Sequence, residues 1–185
     1  MLDLTGKLLI AMPGMGDPRF ESAVIFLCSH SEEGAMGLIV NKPSSDVSLR
    51  ELLEQLDIAL QSDDVNRPVH FGGPVEGGRG FVLHGSDYGS HIHTLKVTDD
   101  IRMTATVDIL EDIGRGRGPA RALMMLGYAG WGPGQLEGEI AQNGWLTADA
   151  SAALLFDTPD LKKWGAALKT LGIEPVMLSG SAGRA

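Results

Sequence analysis

The sequence is poor in cysteine and in aromatic residues. Cys28 is the single cysteine of the 185 residues, and phenylalanine, tryptophan and tyrosine together make up 5%. One thiol cannot form a disulfide within the chain, which favours a cytoplasmic location. The scarcity of aromatic residues predicts a core built mainly from aliphatic side chains.

Long apolar runs are also missing. No segment approaches the roughly 20 apolar residues that a membrane-spanning helix needs. The run at residues 8–12 is shorter than the ~7–15 residues of a signal-peptide core, and no small-residue cleavage site follows it. We therefore expect neither a membrane span nor an export signal.

Basic residues are outnumbered by acidic ones. The 15 lysines and arginines face 24 aspartates and glutamates, which gives a formal net charge of −9. Duplex binding depends on a basic face that neutralises phosphates, and the cluster of Arg115, Arg117 and Arg121 is too small for such a footprint. We expect no direct binding to duplex DNA and no adhesion to an anionic membrane. A direct nucleic-acid-binding regulator stays open as an alternative function.

Glycine, in contrast, is abundant. The 25 glycines are nearly twice the average share of ~7%, and they cluster between short apolar runs, a pattern typical of tight turns between strands. Strands and helices do not alternate strictly along the chain. The predicted fold is α+β, with a bent, mostly antiparallel sheet or β-barrel flanked by three to four helices. We expect a single domain over residues 1–185, with residues 179–185 as a frayed tail.

Local signals predict where two of the helices begin. Ser48 and Glu51 form a capping-box pattern ahead of a run, residues 49–60, whose leucines fall on one helix face. Gly132 and Pro133 predict the start of another helix, with glycine as the N-cap and proline in the first turn.

Three apolar segments near the middle of the chain predict strands. Residues 69–71 and 80–84 could pair as a hairpin across the glycine-rich connection between them. Residues 120–128 fit either a helix or a strand, and the closely bracketing glycines and proline favour a strand.

The glycine-rich and histidine-rich segments match no cofactor or catalytic motif. Residues 72–79 lack the lysine and the serine or threonine that end a P-loop. Residues 85–89 do not fit the G-x-S-x-G pattern of a serine hydrolase. His91 and His93 would share a strand face but have no third ligand at a suitable spacing. We therefore assign no catalytic residue, cofactor or metal ligand, and a binding role is favoured over an enzymatic one.

Cys28 allows two interpretations. It closes the most apolar run in the chain, which favours a structural core residue with an inert thiol. His30 lies two residues further on and would share the same strand face, where an imidazolium could lower the thiol pKa. A redox-responsive thiol formed by Cys28 with His30 is therefore retained as an alternative.

A candidate ligand or partner surface is predicted from three segments that are distant in the sequence. Each combines polar side chains with glycines or a tryptophan at a strand end or helix start, where the backbone can closely approach another molecule. The residues are Asn41, Lys42, Gly72, Gly73, Pro74, Trp131, Gln135 and Glu139. We expect them to converge as a shallow polar cleft for an unidentified protein or small molecule. In the alternative, each segment only turns a corner and Trp131 fills the core.

Long segments of the chain resemble the YqgE/AlgH family of bacterial proteins. They are residues 8–43, 69–84 and 126–146, joined by the pattern LF-x-x-P-x-x-x-W from Leu155 to Trp164. The resemblance implies a β-barrel-like bent sheet flanked by helices. The family is often labelled as transcriptional regulators, through alginate regulation, and it supplies no catalytic residue to carry over. A cytoplasmic binding protein with at most an indirect effect on transcription is therefore expected.

Overall fold

The computed structural model describes residues 2–62 and 67–178 of the chain. Its ten strands are β1 (Lys7–Ala11), β2 (Val24–Ser31), β3 (Gly34–Ile39), β4 (Pro43–Ser48), β5 (Pro68–Phe71), β6 (Val75–His84), β7 (Leu95–Lys96), β8 (Arg102–Thr104), β9 (Ala122–Trp131) and β10 (Trp145–Asp149). The α-helices are α1 (Leu49–Gln55), α2 (Val107–Gly114), α3 (Gln135–Ala141) and α4 (Asp160–Thr170). Short 3-10 turns cover Pro18–Phe20 and Pro175–Leu178, and a π-helical turn covers Ala153–Asp157. The tail predicted at residues 179–185 lies outside the described residues.

The strands form a curled half-barrel. The main path of the sheet runs β10-β1-β2-β3-β9-β6-β8-β7, and every neighbouring pair in it is antiparallel. Strand β4 pairs antiparallel with β5, and β5 lies parallel to β9. The predicted α+β fold with a bent, mostly antiparallel sheet and flanking helices is therefore confirmed.

The two faces of the sheet are covered differently. One apolar cluster joins residues of β1, β2 and β3 to residues of β6 and β9 and packs under α4 and the turn before it. Because this cluster spans both halves of the half-barrel, we call its side the inner face. The outer face carries two separate clusters, one beneath α3 and one beneath α1 and α2. Leucine, isoleucine and valine dominate the buried side chains, as the composition predicts.

Strand β9 holds the two halves of the sheet together. Its first half pairs with β5 through Met124–Leu126, its second half pairs with β3 through Ala129–Trp131, and β6 occupies its other edge. The strand predicted over residues 120–128 is confirmed and extends to Trp131. The predicted hairpin of residues 69–71 with 80–84 is wrong, because β9 lies between those two segments and bonds to both.

Strands β5 and β3 pair with successive parts of one edge of β9 and separate at Gly72 and Gly73. We call this point the fork. The Gly72 N–H donates to the Leu126 carbonyl at 2.8 Å, and the Gly72 carbonyl accepts from Ile39 N–H at 2.9 Å. A Cβ atom on Gly72 would lie 2.3 Å from the Gly127 carbonyl oxygen, and one on Gly73 would lie 2.1 Å from the Tyr128 carbonyl carbon. Side chains at these two positions would therefore push the backbones apart.

Helix boundaries differ from the sequence prediction for local reasons. Ser48 caps α1 as predicted, since its hydroxyl accepts from the Glu51 N–H at 3.2 Å. The helix then ends at Gln55 rather than near residue 60, because Asp57 adopts a left-handed conformation with φ of 54°. Helix α3 begins at Gln135 rather than after Gly132, because Gly134 supplies the N-cap with a left-handed φ of 74°.

We expect the replacement Gly72→Ala to destabilise the fold by about 2 kcal/mol or more, since overpacked sites cost roughly 1–3 kcal/mol and the neighbouring atoms here are backbone. Gly78→Ala is the matched control, because a Cβ at Gly78 has no neighbour within 4 Å. Denaturant unfolding of both variants measures the difference. Equal stabilities would contradict the proposed close packing of β5 on β9.

Candidate functional site

Two of the three segments of the predicted surface lie together at the fork. Asn41 is 8% exposed, accepts a hydrogen bond from the Val24 N–H at 2.9 Å and donates one to the Ser22 carbonyl at 2.8 Å. The Lys42 ammonium donates to the Glu21 carbonyl. The Lys42 carbonyl in turn accepts from the Phe71 N–H at 2.7 Å, which places it beside the segment Gly72, Gly73 and Pro74. These contacts fasten the loop before β2 to the end of β3.

The third segment lies at the other end of β3. Trp131 pairs with Ala35 in the sheet and is 7% exposed. Glu139 accepts from the indole N–H of Trp131 at 2.6 Å and from that of Trp145 at 3.1 Å, and the two rings meet edge to face. The Gln135 side chain accepts from the Gly132 N–H at 3.0 Å. These contacts clamp α3 onto the outer face.

Cys28 and His30 do not share a face. A register shift between Leu27 and Ser29 adds one residue to β2 relative to β3, so the alternation of side chains changes there. Cys28 is 2% exposed and belongs to the inner cluster. His30 instead accepts from the Leu4 N–H at 3.0 Å through Nδ1 and donates to Glu137 at 2.6 Å through Nε2. Burial raises the pKa of the Cys28 thiol to about 12.

A buried polar network fixes α4 to the sheet. Lys163, 1% exposed, donates to the Val40 carbonyl at 2.8 Å and to Asp160 at 2.9 Å. His70 donates to the second Asp160 oxygen at 2.9 Å and faces the Met124 carbonyl at 3.2 Å. Burial alone would raise the pKa of Asp160, but the hydrogen bonds from His70 and Lys163 hold it below its usual value. Every charged group in the network has a partner, which is the condition for burying it.

An open cleft of about 640 Å³ lies at one end of the inner face. We call it the inner cleft. Its lining residues come from β2, β3, β6, β8 and β9 and the turn between β2 and β3: Ser29, Ser31, Glu33, Gly34, Ala35, Met36, Val75, Arg79, Phe81, Met103, Tyr128, Gly130 and Trp131. Of the eight residues in the predicted surface, Trp131 is among them.

Backbone irregularities place Ser29, Ser31 and Tyr128 on the inner face. Beyond the extra residue of β2, Ser29 and Ser31 line the inner cleft. In β9, Gly127 has a left-handed φ of 78°, and after it Tyr128 lies on the inner face while Trp131 packs on the outer one. A strict two-residue period would have placed Ser29, Ser31 and Tyr128 on the outer face and Trp131 on the inner face.

The floor of the inner cleft is apolar and adaptable. Met36, Met103 and Tyr128 are half-buried against the inner cluster, and Phe81 belongs to it. The rings of Phe81 and Tyr128 meet edge to face with centroids 5.8 Å apart. Thioether side chains adapt to differently shaped ligands, so this floor suits an aromatic or aliphatic group.

Arg79 lies at the rim of the inner cleft, in a four-residue bulge of β6. Residues 76–79 of β6 lie opposite the single residue Gly127 of β9, since Val75 pairs with Tyr128 and Gly80 with Leu126. The Arg79 guanidinium carbon lies 5.1 Å from the centre of the Phe81 ring. The sequence prediction missed this residue, although the pair Gly77-Gly78 beside it is a signal for an irregular strand.

A second cavity is smaller and lies on the outer face. It occupies about 150 Å³ between α1, α2 and the sheet, and its lining is mainly aliphatic. Small-molecule sites usually occupy roughly 300–1,000 Å³ and combine an apolar lining with a few polar groups. The inner cleft meets both conditions, and its volume exceeds those of three other cavities of about 320, 350 and 530 Å³ on the described part of the chain, so it is the candidate functional site.

Residues 2–62 and 67–178 contain neither a metal-binding cluster nor a membrane-spanning helix. Across that part of the chain, no group of three or more histidine, cysteine, aspartate or glutamate side chains could hold a metal ion. None of the helices described there is long and apolar enough to cross a membrane.

The fold and the cleft define an α+β half-barrel protein with a ligand-sized opening on its inner face. The chain belongs to the DUF179 family, described as AlgH-like, whose family model matches residues 8–176. The resemblance seen in the sequence is therefore confirmed.

Relatives and solved structures agree with this assignment. A UPF0301 protein of Ruegeria pomeroyi is 65% identical over 185 residues and covers 100% of both chains. One of Paracoccus denitrificans is 55% identical, over 99% of this chain and 97% of its own. The solution structure of AlgH from Pseudomonas aeruginosa matches with a TM-score of 0.80 and 43% identity, over 99% of this chain and 96% of that one.

The buried Cys28 thiol should be unreactive in the folded protein. Because burial raises its pKa to about 12, we expect Cys28 in the native protein to react slowly with a disulfide reagent and to react rapidly once the chain is unfolded. A spectrophotometric time course with and without denaturant measures both rates. Stoichiometric labelling of the folded protein within seconds would favour the redox-responsive thiol instead.

The Asp160 carboxylate in the polar network under α4 should stabilise the fold in a pH-dependent way. Asp160→Asn should cost about 3 kcal/mol or more, because it leaves the buried Lys163 ammonium without its anion. The folded-state pKa of Asp160 is lowered, so its stabilisation is complete above the unfolded-state value of about 3.9 and is lost as the pH falls through the folded-state value. The gap in stability between wild type and variant should therefore be constant near neutral pH and shrink in acid.

Thermal unfolding of wild type and variant from neutral pH down to about pH 3 measures this gap. Asp149→Asn serves as the control, since the Asp149 side chain is 87% exposed in its ion pair with Lys7 and should leave the melting temperature unchanged. A gap that stays constant into acid would contradict the assigned role of the carboxylate.

Proposed function

We propose that the protein acts in the cytoplasm by binding a ligand with an apolar body in the inner cleft. Any effect on transcription is then indirect, through a partner that responds to the occupied form. The lone cysteine supports a cytoplasmic location, because a chain with one thiol cannot form the internal disulfides that are common in oxidising compartments.

The shape and lining of the inner cleft carry the proposal. Its volume of about 640 Å³ lies in the range of small-molecule sites. Met36, Phe81 and Met103 offer apolar surface, while Ser29 and Arg79 provide polar groups at the edge. An apolar floor with a few polar groups is the usual composition of a binding site.

The nucleic-acid alternative receives less support. Arg121 is paired with Asp157 at 2.7 Å, and Arg115 lies within 4.0 Å of both Glu111 and Asp112. Much of the small basic cluster is therefore neutralised by the protein itself. A duplex would need several free cations on one face to displace its counterions.

The test uses the neutral fluorescent probe N-phenyl-1-naphthylamine. We expect saturable binding to the wild type and at least about tenfold weaker binding to Ser29→Trp, equivalent to a loss of about 1.4 kcal/mol, because the new indole fills the inner cleft. Ser29 is exposed at its mouth, so the substitution does not disturb the core. Ser31→Trp gives a second obstruction from the next inward position of β2.

Ser45→Trp is the matched control, since Ser45 is an exposed serine of β4 outside the inner cleft. It should bind the probe like the wild type. Melting temperatures establish that all variants are folded. No saturable binding to the wild type, or equal binding by folded Ser29→Trp and Ser45→Trp, would overturn the proposal.

A further inference from the structure

We infer that the inner cleft selects ligands that carry a single carboxylate beside their apolar body, with Arg79 as the group that binds the carboxylate. This inference rests on the proposed function and adds the chemical class of the ligand. It depends on how the Arg79 guanidinium is held and on the charges around it.

The guanidinium is positioned but has unused hydrogen-bonding capacity. It stacks 5.1 Å from the Phe81 ring centre, which limits its freedom at the rim of the cleft. Within the described residues it makes no hydrogen bond to another protein group. Its planar set of N–H donors matches the two oxygens of a carboxylate.

Glu76 is a weak competitor for Arg79. Their closest charged atoms are 3.6 Å apart, beyond hydrogen-bond length, and both side chains are more than half exposed. Exposed ion pairs of this kind contribute little. A carboxylate seated against the guanidinium with direct hydrogen bonds would therefore displace Glu76.

The charge balance of the rim disfavours a dianion more than a monoanion. Glu33 lines the inner cleft and Glu76 lies beside Arg79, so two carboxylates accompany one cation. A phosphate ester with nearly two negative charges would be repelled by this balance more than a carboxylate would. Ser29 and Tyr128 provide hydroxyl donors in the same cleft, and in the described part of the chain neither hydroxyl is hydrogen-bonded to protein.

The test compares naphthalene-2-carboxylate with naphthalene-2-carboxamide, which has the same ring system without the charge. Both affinities are measured by displacement of N-phenyl-1-naphthylamine. We expect Arg79→Gln to weaken carboxylate binding about tenfold, equivalent to about 1.4 kcal/mol, and to leave carboxamide binding unchanged. Glu76→Gln removes the competing anion and should strengthen carboxylate binding a few-fold.

Arg115→Gln is the control, because Arg115 is an exposed arginine of the turn after α2 and lies outside the inner cleft. Carboxylate and carboxamide affinities that are equal in the wild type, or unchanged by Arg79→Gln, would overturn the inference. If Ser29→Trp still blocks both compounds in that case, the proposed function stands and only the ligand class is wrong. If neither compound displaces the bound probe, the inference is overturned and the proposed function stands on the probe binding alone.

Discussion

The close approach of two backbones at the centre of the sheet is the constraint on which the rest of this structure depends. Strand β9 is hydrogen-bonded to β5 and β3 on one edge and to β6 on the other, and β5 and β3 separate at Gly72 and Gly73. A Cβ at Gly127 would lie 2.4 Å from the Gly73 carbonyl oxygen, so the fork requires glycine both in β9 and in the segment that follows β5. The same Gly127 reverses the facing of β9, and the inner cleft follows from that reversal.

The polar side chains of the molecule divide into two groups. His70, Asp160 and Lys163 are fully engaged with one another and with backbone carbonyls, so they hold α4 over the inner cluster. Glu139 does the same for α3 through two indoles. Arg79 differs from these groups, because it is held in place by stacking and retains free donors at the rim of a cavity. Structural polar groups satisfy each other, whereas a binding group must keep its capacity for a ligand.

Local chemistry made much of the fold predictable. Ser48 capped its helix as predicted, and the apolar runs became strands of a bent sheet. The site was less predictable, because it depends on interruptions of the two-residue period at Leu27–Ser29 and at Gly127. A period counted along the sequence placed Cys28 with His30 and could not place Tyr128 or Ser29 in a cleft. The sequence prediction assigned Trp131 to the surface because of its glycine neighbours. In the structure its indole N–H donates to Glu139 of α3 on the outer face, and no local sequence pattern predicts how that helix packs.

Mapping where a carboxylate-bearing ligand contacts the folded protein is the most direct test of the binding site. In a titration of isotope-labelled protein with naphthalene-2-carboxylate, we expect the largest changes in amide chemical shift at Gly34, Ala35, Gly130 and Arg79, which surround the inner cleft. Changes concentrated instead at Leu52 and Val107, beside the smaller cavity on the outer face, would contradict the central claim. Saturating ligand that shifts no amide around the inner cleft would contradict it as well.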